Sequence, residues 1–316
     1  MARQKKGLAI SGWVNFDKPL DMTSTAAVSK IKWLFQAQKA GHAGTLDPKA
    51  TGVLPIALGE ATKTVPYLME AEKTYRFSIR WGVTTDSYDS EGLTTATSDL
   101  RPQIDAIKAA LPAFIGVIEQ VPPAFSAIKV DGKRAYDLAR QGIEVELKAR
   151  EIEVFDLELI SASQDEAEFL LHCSKGTYVR SIARDLCLDL GVCGHVSALR
   201  RERVGTFQLD TIISLENLED LVHRGAPFVA LLKLETALDD IPALALNSDE
   251  AAKIRQGRDF ALLPQRLATI KEALRTRLEL GFTEYPDHVQ LRFEDKVLAL
   301  AELKNERIYP VRVLNL

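Results

Sequence analysis

The sequence has few cysteines and no long apolar run. Its three cysteines, Cys173, Cys187 and Cys193, are an odd number without CxxC spacing, so neither a disulfide framework nor a structural zinc site is indicated. A zinc ligand set of Cys187, Cys193 and His195 would lack a fourth partner and a known spacing. No stretch approaches the roughly 20 apolar residues of a membrane-spanning helix, and the start MARQKKGLAI has no signal-peptide pattern. We therefore expect a cytoplasmic protein without membrane contact.

Charge is unevenly distributed along the chain. The 40 Lys and Arg and 44 Asp and Glu residues give a net charge of -4. Residues 1–70, 124–150 and 172–206 together hold 21 basic and 12 acidic residues, whereas the remainder holds 19 and 32. A local basic surface can bind phosphates despite an acidic average, although chance clustering on solvated faces gives the same pattern.

The segment 41–55, GHAGTLDPKATGVLP, sets a single carboxylate, Asp47, in a loop of glycines, small residues and proline. Its glycines allow positive φ or close approach by a ligand, and Pro48 biases Asp47 away from helical geometry. An acid held in this way is presented at a surface, which favours a catalytic role. The alternative is a simple turn in which Asp47 accepts hydrogen bonds from nearby amides.

Periodicity predicts a mixture of helices and strands in the first half of the chain. Alternation over 74–81 places Tyr75, Phe77, Ile79 and Trp81 on one face of a strand, where packing is the ordinary role of an aromatic ring. We also predict strands over 13–16 and 52–58, a helix over 25–35 capped by Ser24, and a helix over 100–114. In the polar loop 84–98, Asp86 and Asp89 are interpreted as turn formers because no calcium-type oxygen cage surrounds them.

The middle of the chain combines basic residues with turn signals. Residues 121–142 contain Pro-Pro, a hairpin turn at Asp131 and Gly132, and a basic helix with Arg134 and Arg140, which together predict a protruding arm. Residues 170–191 predict a strand, a tight turn, and a helix whose first turn carries Tyr178 and Arg180. An arginine there is well placed to meet an anion, although Arg180 and Arg184 also have the spacing of a surface pair. The basic run 193–205 leads into a strand.

The last part of the chain differs in character. A helix over 248–257 is followed by short strands over 289–293, 297–303 and 309–313, which indicates a small β-rich domain. The stretch 262–284 has a helical pattern and is interpreted as an insertion.

Six ordered sequence blocks resemble the TruB family of tRNA pseudouridine synthases. They are GWVNFDKPLDMTS, GHAGTLDPKATGVLPIALGEATK, KTYRF, PPAFSAIKVDGKRAYDLARQG, CSKGTYVRSIARDLC and LRRERVG. The resemblance implies an α+β fold with a mixed, mainly antiparallel sheet and flanking helices, the pseudouridine synthase fold. It also implies a catalytic domain over 1–240, with an arm-like insertion at about 124–150, and a PUA-like RNA-binding domain over 241–316.

The implied activity is isomerisation of uridine 55 to pseudouridine in the T loop of tRNA, with the base flipped out of its stack. By position, Asp47 matches the family's essential aspartate, Tyr75 its base-stacking tyrosine and Arg180 the partner of the aspartate. The reaction breaks the N1–C1′ bond and joins C1′ to C5, for which a carboxylate offers both nucleophile and base. A neighbouring cation favours the ionised carboxylate, and a tyrosine gives a flipped base an apolar face.

Four further positions match family residues around the substrate. Tyr178 matches a tyrosine near the base, a plausible relay for the C5 proton, and Leu199 would pack the pocket wall. His42 matches a histidine that occupies space vacated by flipped T-loop bases, and Lys18 a lysine whose expected role is structural. The resemblance implies the tRNA T arm as partner, no cofactor or metal, no required protein partner, and a monomer.

The chain departs from the family pattern at two places. Lys49 stands where many relatives carry an apolar residue, which would add phosphate attraction, and the insertion 262–284 makes the C-terminal domain atypical. Two other functions remain open at this point. One is an RNA-folding factor for which opening the T loop is itself the useful act. The other is an enzyme of small phosphates, which the missing GxxxxGK[ST] and GxGxxG patterns disfavour.

Overall fold

The computed structural model describes residues 7–126, 129, 130, 132–136, 143 and 147–316. Its α-helices are α1 Ser24–Leu34, α2 Val65–Glu70, α3 Ile104–Ala110, α4 Val179–Asp189, α5 Leu215–His223, α6 Ser248–Arg255 and α7 Pro264–Glu279. Short 3₁₀ helices lie at Gly59–Lys63, Leu111–Phe114, Leu209–Thr211, Pro227–Ala230 and Leu234–Leu238.

The strands divide into two groups along the chain. The first group is β1 Gly12–Lys18, β2 Ala40–His42, β3 Ala50–Leu58, β4 Lys73–Trp81, β5 Val83–Thr85, β6 Thr94–Thr97, β7 Gly116–Gln120, β8 Lys129–Val130, β9 Lys133–Arg134, β10 Arg150–Ala162, β11 Glu166–Cys173, β12 Gly194–Val204 and β13 Phe207–Gln208. The second group is β14 Ala243–Ala245, β15 Phe260–Ala261, β16 His288–Phe293, β17 Lys296–Lys304 and β18 Arg307–Val313.

A mainly antiparallel sheet organises the first 210 residues or so. Within the described residues its order is β1-β3-β12-β4-β11-β10-β7, with β2 paired to β3 and β13 to β12. All of these pairs are antiparallel except β3 with β12, which run parallel where Leu199 lies opposite Ala50. The predicted α+β architecture is confirmed.

One face of this sheet carries the main core. The predicted alternation of β4 is confirmed, since Tyr75, Phe77, Ile79 and Trp81 are all buried. Phe77 stacks on Phe169 of β11 with ring centroids 5.2 Å apart. Helices α1 and α4 cover the same core with residues at helical spacing, because only one stripe of each helix is apolar. Those buried residues are Ala27, Ile31 and Leu34 of α1 and Val179, Ile182, Ala183 and Leu186 of α4.

The C-terminal strands form a second sheet, in the order β14-β16-β17-β18-β15. Its core is separate from the main one, and α7 contributes Leu267, Ile270 and Leu274 to it. The helical pattern predicted for 262–284 is therefore real, and α7 is part of the small β-rich unit. Val297 and Leu300 of β17 pack in a common cluster with Trp13 and Val53 of the large sheet, so the two sheets share an apolar contact.

Several predicted elements have different bounds in the structure. Helix α3 begins at Ile104 rather than Leu100, because Pro102 disfavours helical geometry at the residue before it. Thr23, not Ser24, caps α1, since the Thr23 hydroxyl accepts from the Ala26 amide at 3.1 Å. The basic run after Cys193 leads into the short strand β13, as predicted, but it also forms a strand itself, β12.

The predicted arm lies partly outside the described residues. Strands β8 and β9 pair antiparallel, with Val130 opposite Lys133. Of the predicted turn residues, Gly132 has a positive φ, and Asp131 lies outside the described residues. Arg134 belongs to β9, so its assignment to a helix was wrong. Ala135 and Tyr136 are helical, whereas Arg140 lies outside the described residues. Among the residues that are described, no helix is long and apolar enough to cross a membrane.

Candidate active site

The loop between β2 and β3 presents Asp47, whose side chain is 40% exposed. Buried Ser24, at the start of α1, fixes the residue before it: the Ser24 hydroxyl donates to the Leu46 carbonyl and accepts from the Leu46 amide, both at 2.9 Å. The residue after it is fixed as well, because the Pro48 carbonyl accepts from the Asp21 amide at 2.9 Å. Asp47 is therefore held on both sides by neighbouring structure.

Lys18, at the end of β1, supports the same loop from the interior. The residue is fully buried, and its ammonium donates to the carbonyls of Pro19, Met22 and Pro48 at 2.9, 2.7 and 3.2 Å. Burial lowers the pKa of Lys18 to about 8, an effect that the negative charge of Asp47 opposes. The Lys18 ammonium is therefore bonded to three backbone carbonyls around the base of the loop.

Arg180 faces Asp47 from the first turn of α4. Its side chain is 6% exposed, and its Nη2 lies 2.8 Å from Asp47 Oδ2. The guanidinium also donates to the carbonyls of Ser87 and Phe125 at 3.1 and 2.8 Å. These fixed acceptors orient the planar group so that one side is directed at the Asp47 carboxylate. The alternative of a surface pair is wrong for Arg180, whereas Arg184 does bond the carboxylate of Asp185.

Asp89 is a site residue that the sequence reasoning missed. It was interpreted as a turn former, and it does accept from the Glu91 amide at 3.0 Å and the Ser87 hydroxyl at 2.5 Å. Its other oxygen, Oδ2, lies 3.4 Å from Arg180 Nη1, and its side chain is only 10% exposed. Asp47 and Asp89 thus flank the same guanidinium. The sequence signal was a second acid in a polar loop, which does not show where that loop folds.

Tyr75 lies in β4, opposite Arg201 of β12, and is 9% exposed. Burial raises the pKa of its phenol, and the charge of Asp47 contributes in the same direction, which places the two side chains within electrostatic range. Leu199 of β12 lies opposite Phe77 of β4 and Ala50 of β3, next to the end of the Asp47 loop.

Tyr178 is the N-cap residue of α4, two positions before Arg180. Buried Gln120, at the end of β7, accepts from the Tyr178 amide at 2.8 Å and donates to the Tyr178 carbonyl at 3.2 Å. The Gln120 side chain therefore fixes the backbone at Tyr178, at the start of the helix that carries Arg180. Burial raises the pKa of the Tyr178 phenol, which stays protonated at neutral pH.

His42 lies in β2, five residues before Asp47 and opposite Ile56 of β3. Burial, with a contribution from the Arg201 charge, lowers the pKa of the imidazole, so the ring is neutral at physiological pH. Its Nδ1 is buried without a hydrogen-bond partner within the part of the chain that the structure describes. A neutral, unsatisfied ring is suited to hydrogen bonding or stacking with a base.

The candidate residues converge on one cleft to different degrees. Asp47, Arg180 and Leu199 line the cleft directly. The charge of Asp47 contributes to the pKa shifts of Tyr75, Tyr178 and Lys18, so these three residues lie near the cleft. The full lining is Asp47, Lys49, Ala50, Asp89, Ser90, Arg180, Val196, Ser197, Ala198 and Leu199. His42 shares a charged neighbour, Arg201, with Tyr75.

Two other sequence features have local partners. Lys49 bonds the carboxylate of Asp21 at 2.6 Å at the mouth of the cleft. Burial raises the pKa of the Cys187 thiol to about 12. The Nδ1 atom of His195 donates to the Val83 carbonyl at 2.8 Å. No group of three or more metal-binding side chains occurs within the described residues.

Comparison with known proteins shows which family the chain belongs to. The model of the TruB family pseudouridylate synthase N-terminal domain matches residues 32–179, and that of the tRNA pseudouridylate synthase B C-terminal domain matches 180–239. A relative called tRNA pseudouridine synthase B, from Caulobacter vibrioides, is 53% identical with full coverage of both chains. Another of that name, from Bradyrhizobium diazoefficiens, is 48% identical and covers all of this chain and 91% of its own.

A solved structure agrees with this placement. A chain in the crystal structure of a Cbf5–Nop10–Gar1 complex superposes with a TM-score of 0.70 at 27% identity, over 96% of this chain and 84% of that one. The fold is that of a pseudouridine synthase. Within that class, the chain belongs to the TruB family.

Proposed function

We propose that this protein isomerises uridine 55 to pseudouridine in the T loop of tRNA, with Asp47 as the catalytic carboxylate. The observation that carries the proposal is the 2.8 Å ion pair between Asp47 and Arg180, which lies in a cleft of a TruB family member. The relatives that share about half of its residues are named as tRNA enzymes. The proposal takes tRNA as the substrate from the names of these relatives. It takes the T-loop position from the sequence resemblance.

The chemistry requires an ionised carboxylate that substrate can reach. The N1–C1′ bond breaks, the uracil rotates, C1′ joins C5, and the proton leaves C5 while N1 regains one. Attack on C1′, addition to the uracil ring and removal of a sugar proton each begin from a carboxylate. Asp47 meets the requirement, because it is 40% exposed whereas its partner Arg180 is buried and fixed by carbonyl oxygens.

The remaining side chains support a flipped base in this proposal. Tyr75 would stack on the uracil, and Leu199 would complete the apolar wall. The Tyr178 hydroxyl would relay the C5 proton, accepting it on oxygen as its own O–H proton passes on to water. His42 would fill the space that the T-loop bases leave, for which a neutral ring is suited. Lys18 would act indirectly, by holding the carbonyl of Pro48 next to Asp47.

The larger organisation follows from the same proposal. Residues 1–240 would form the catalytic domain, with the arm at about 124–150 gripping the T arm. Residues 241–316 would form a PUA-like domain that contacts the RNA further away. The enzyme would work as a monomer without a protein partner, because the residues proposed for each step come from one chain. It would act in the cytoplasm and would need no cofactor.

The test is release of tritium from C5 of uridine in an unmodified tRNA transcript. We expect the purified protein to release tritium, and we expect release from position 55 to stop when that uridine is replaced by cytidine. Release that persists from the substituted transcript would contradict the position. Tight tRNA binding with no release would contradict the activity and favour an RNA-folding role instead.

A further inference from the structure

Arg201 is a fully buried arginine with no assigned role. It lies on the central strand β12, where its Cα partners are Gly52 of β3 and Tyr75 of β4. The residue is 1% exposed, although arginine is rarely buried without an acidic partner. None of the ion pairs among the described residues includes Arg201, so the fold carries an uncompensated cation directly beneath the Asp47 loop.

The backbone around Arg201 is shaped to receive this side chain. Its Nε donates to the Val53 carbonyl at 2.8 Å, and its Nη2 donates to the Gly44 carbonyl at 3.0 Å, three residues before Asp47. Gly44 has a φ of +93°, and a Cβ there would lie 3.3 Å from Arg201 Nη1. At Gly52, with a φ of +99°, a Cβ would lie 2.2 Å from the Arg201 carbonyl oxygen. Both glycines let the chain approach Arg201 closely.

The charge of Arg201 reaches several groups around the site. Tyr75 is the neighbour most relevant to the reaction: burial raises its pKa, and the charge and hydrogen bonding of Arg201 oppose that rise. Arg201 also adds to the effect of burial in lowering the pKa of Lys18, Lys73 and His42. The Arg201 guanidinium therefore interacts with three parts of the site: the Asp47 loop through Gly44, strand β3 through Val53, and Tyr75 of β4.

We infer that Arg201 is a positioning residue, which holds the Tyr75 ring and the Gly44 end of the Asp47 loop in one fixed geometry. Two donated bonds to carbonyls from different segments require the planar fork of arginine, which a single ammonium does not reproduce. A buried charge is a costly way to fill this volume if packing alone is needed. The inference rests on the proposed function, since it matters only if Tyr75 and Asp47 act on the same base.

The experiment compares Arg201→Met, which keeps much of the volume, and Arg201→Lys, which keeps the charge, with wild type. Tritium release is measured under single turnover at saturating tRNA, with the half-saturating tRNA concentration and the melting temperature of each variant. We expect Arg201→Met to lower the rate about 100-fold, the order of loss seen for small misplacements of reacting groups. The rate of Arg201→Lys should lie between those of Arg201→Met and wild type. The half-saturating tRNA concentration should change by no more than about threefold in either variant.

Arg76→Met is the matched control. Arg76 follows Tyr75 on β4, and its side chain lies on the opposite face of the sheet, where it bonds Glu202 at 2.7 Å. Its loss should therefore leave the rate unchanged. A Tyr75→Phe background adds a second readout: if Arg201 acts partly through the Tyr75 hydroxyl, Arg201→Met should cost at least about threefold less there.

The outcomes separate this inference from the proposed function. Failure of the wild-type protein to release tritium contradicts the function itself. Wild-type release together with normal rates in both Arg201 variants overturns the inference, as does a loss that only follows the folded fraction. Fully additive effects in the Tyr75→Phe background would contradict the link through the hydroxyl. Should Arg201→Met fail to fold, Arg201→Lys decides alone, and a wild-type rate in that variant overturns the inference.

Discussion

At the scale of single residues, the site pairs a buried arginine with an exposed aspartate. Arg180 is buried and fixed by the carbonyls of Ser87 and Phe125, whereas Asp47 is exposed on the side that faces the cleft. Asp89 lies against the same guanidinium from the other loop. A cation held by two carboxylates and two carbonyls cannot rotate away without leaving a buried charge unpaired, so the carboxylate of Asp47 meets a preorganised partner.

Asp89→Asn tests this arrangement. The substitution keeps the shape and the turn but removes one charge from Arg180, so the guanidinium can shift towards Asp47 and lose its alignment. We expect the single-turnover rate to fall at least about tenfold while tRNA affinity is little changed. Asp86→Asn is the control, because Asp86 accepts a hydrogen bond from the Leu93 amide in the same loop and forms no ion pair with any residue that the structure describes. Equal rates in the two variants would rule out a role for Asp89.

Lys18 gives a prediction on pH. Burial lowers its pKa from 10.5 to about 8, so the ammonium loses a proton as the pH rises through that value, and an amine with fewer donors cannot bond all three carbonyls. We expect catalysis to decline above about pH 8. The decline should be absent in Lys18→Met, which is slower throughout, and present in Lys73→Met, although burial also lowers the pKa of Lys73 to about 8.

The stability effect of Lys18 has the opposite sign, which distinguishes the decline from unfolding. Between pH 8 and 10.5 the unfolded chain binds a proton that the folded chain has released, so this group makes the free energy of unfolding rise with pH across that window. Melting temperature and rate should therefore be measured on the same samples. A decline that persists in Lys18→Met would show that another group titrates.

At the residue level, the sequence indicates a candidate only where the surrounding residues are distinctive. Asp47 could be singled out because glycines and a proline surround it, and Arg180 because it lies at a strand-to-helix turn. Asp89 and Arg201 could not be found in this way. Asp89 reads as an ordinary turn former, and Arg201 lies in a run of arginines whose burial depends on which neighbours β12 acquires in the sheet.

At the scale of elements, helix α1 and strand β1 serve as supports for the Asp47 loop. Ser24 reaches the loop from the first residue of α1, and Lys18 from the last residue of β1. Ser24 was expected to cap its own helix, but Thr23 does so, and this frees the Ser24 hydroxyl for the loop. A capping pattern in sequence identifies the helix start within a residue or two, not which hydroxyl turns outward.

Ser24→Ala should weaken that support. Both hydrogen bonds to Leu46 would be lost in a buried position, and we expect the free energy of unfolding to fall by about 1–3 kcal/mol. Turnover should slow as well, because the residue before Asp47 is no longer fixed. Ser29→Ala on the exposed face of the same helix removes only a bond to the Thr25 carbonyl and should change stability by less than about 0.5 kcal/mol. Denaturant unfolding measures both, and equal effects would contradict the support role.

The sequence patterns also predict which segments are helices and which are strands. They predict the bounds of these elements less well, and they do not specify which strands pair. Strand β4 was predicted to within a residue, because its apolar face alternates cleanly. The parallel pairing of β3 with β12 joins residues almost 150 positions apart, and no local pattern specifies it. That pairing brings Leu199 and Arg201 to the site.

At the scale of the whole molecule, the charge distribution predicts how tRNA affinity depends on salt. The segments 1–70, 124–150 and 172–206 carry the basic excess, and they include the loop, strand and helix that build the cleft. If these segments form one surface for phosphates, affinity should fall steeply between about 50 and 200 mM salt, with a logarithmic slope steeper than about -2. A flat response in a filter-binding titration would mean that the basic excess does not contact RNA.

The most direct test of the central claim compares Asp47→Asn with Asp21→Asn in the tritium-release assay. Asp21 is a matched control, because it is an exposed acid whose carboxylate bonds Lys49 at the mouth of the same cleft. We predict that Asp47→Asn releases no tritium from uridine 55 while its tRNA affinity stays within about tenfold of wild type, since phosphate contacts dominate binding. Asp21→Asn should remain active. Substantial turnover by Asp47→Asn would contradict the assignment of Asp47 as the catalytic carboxylate.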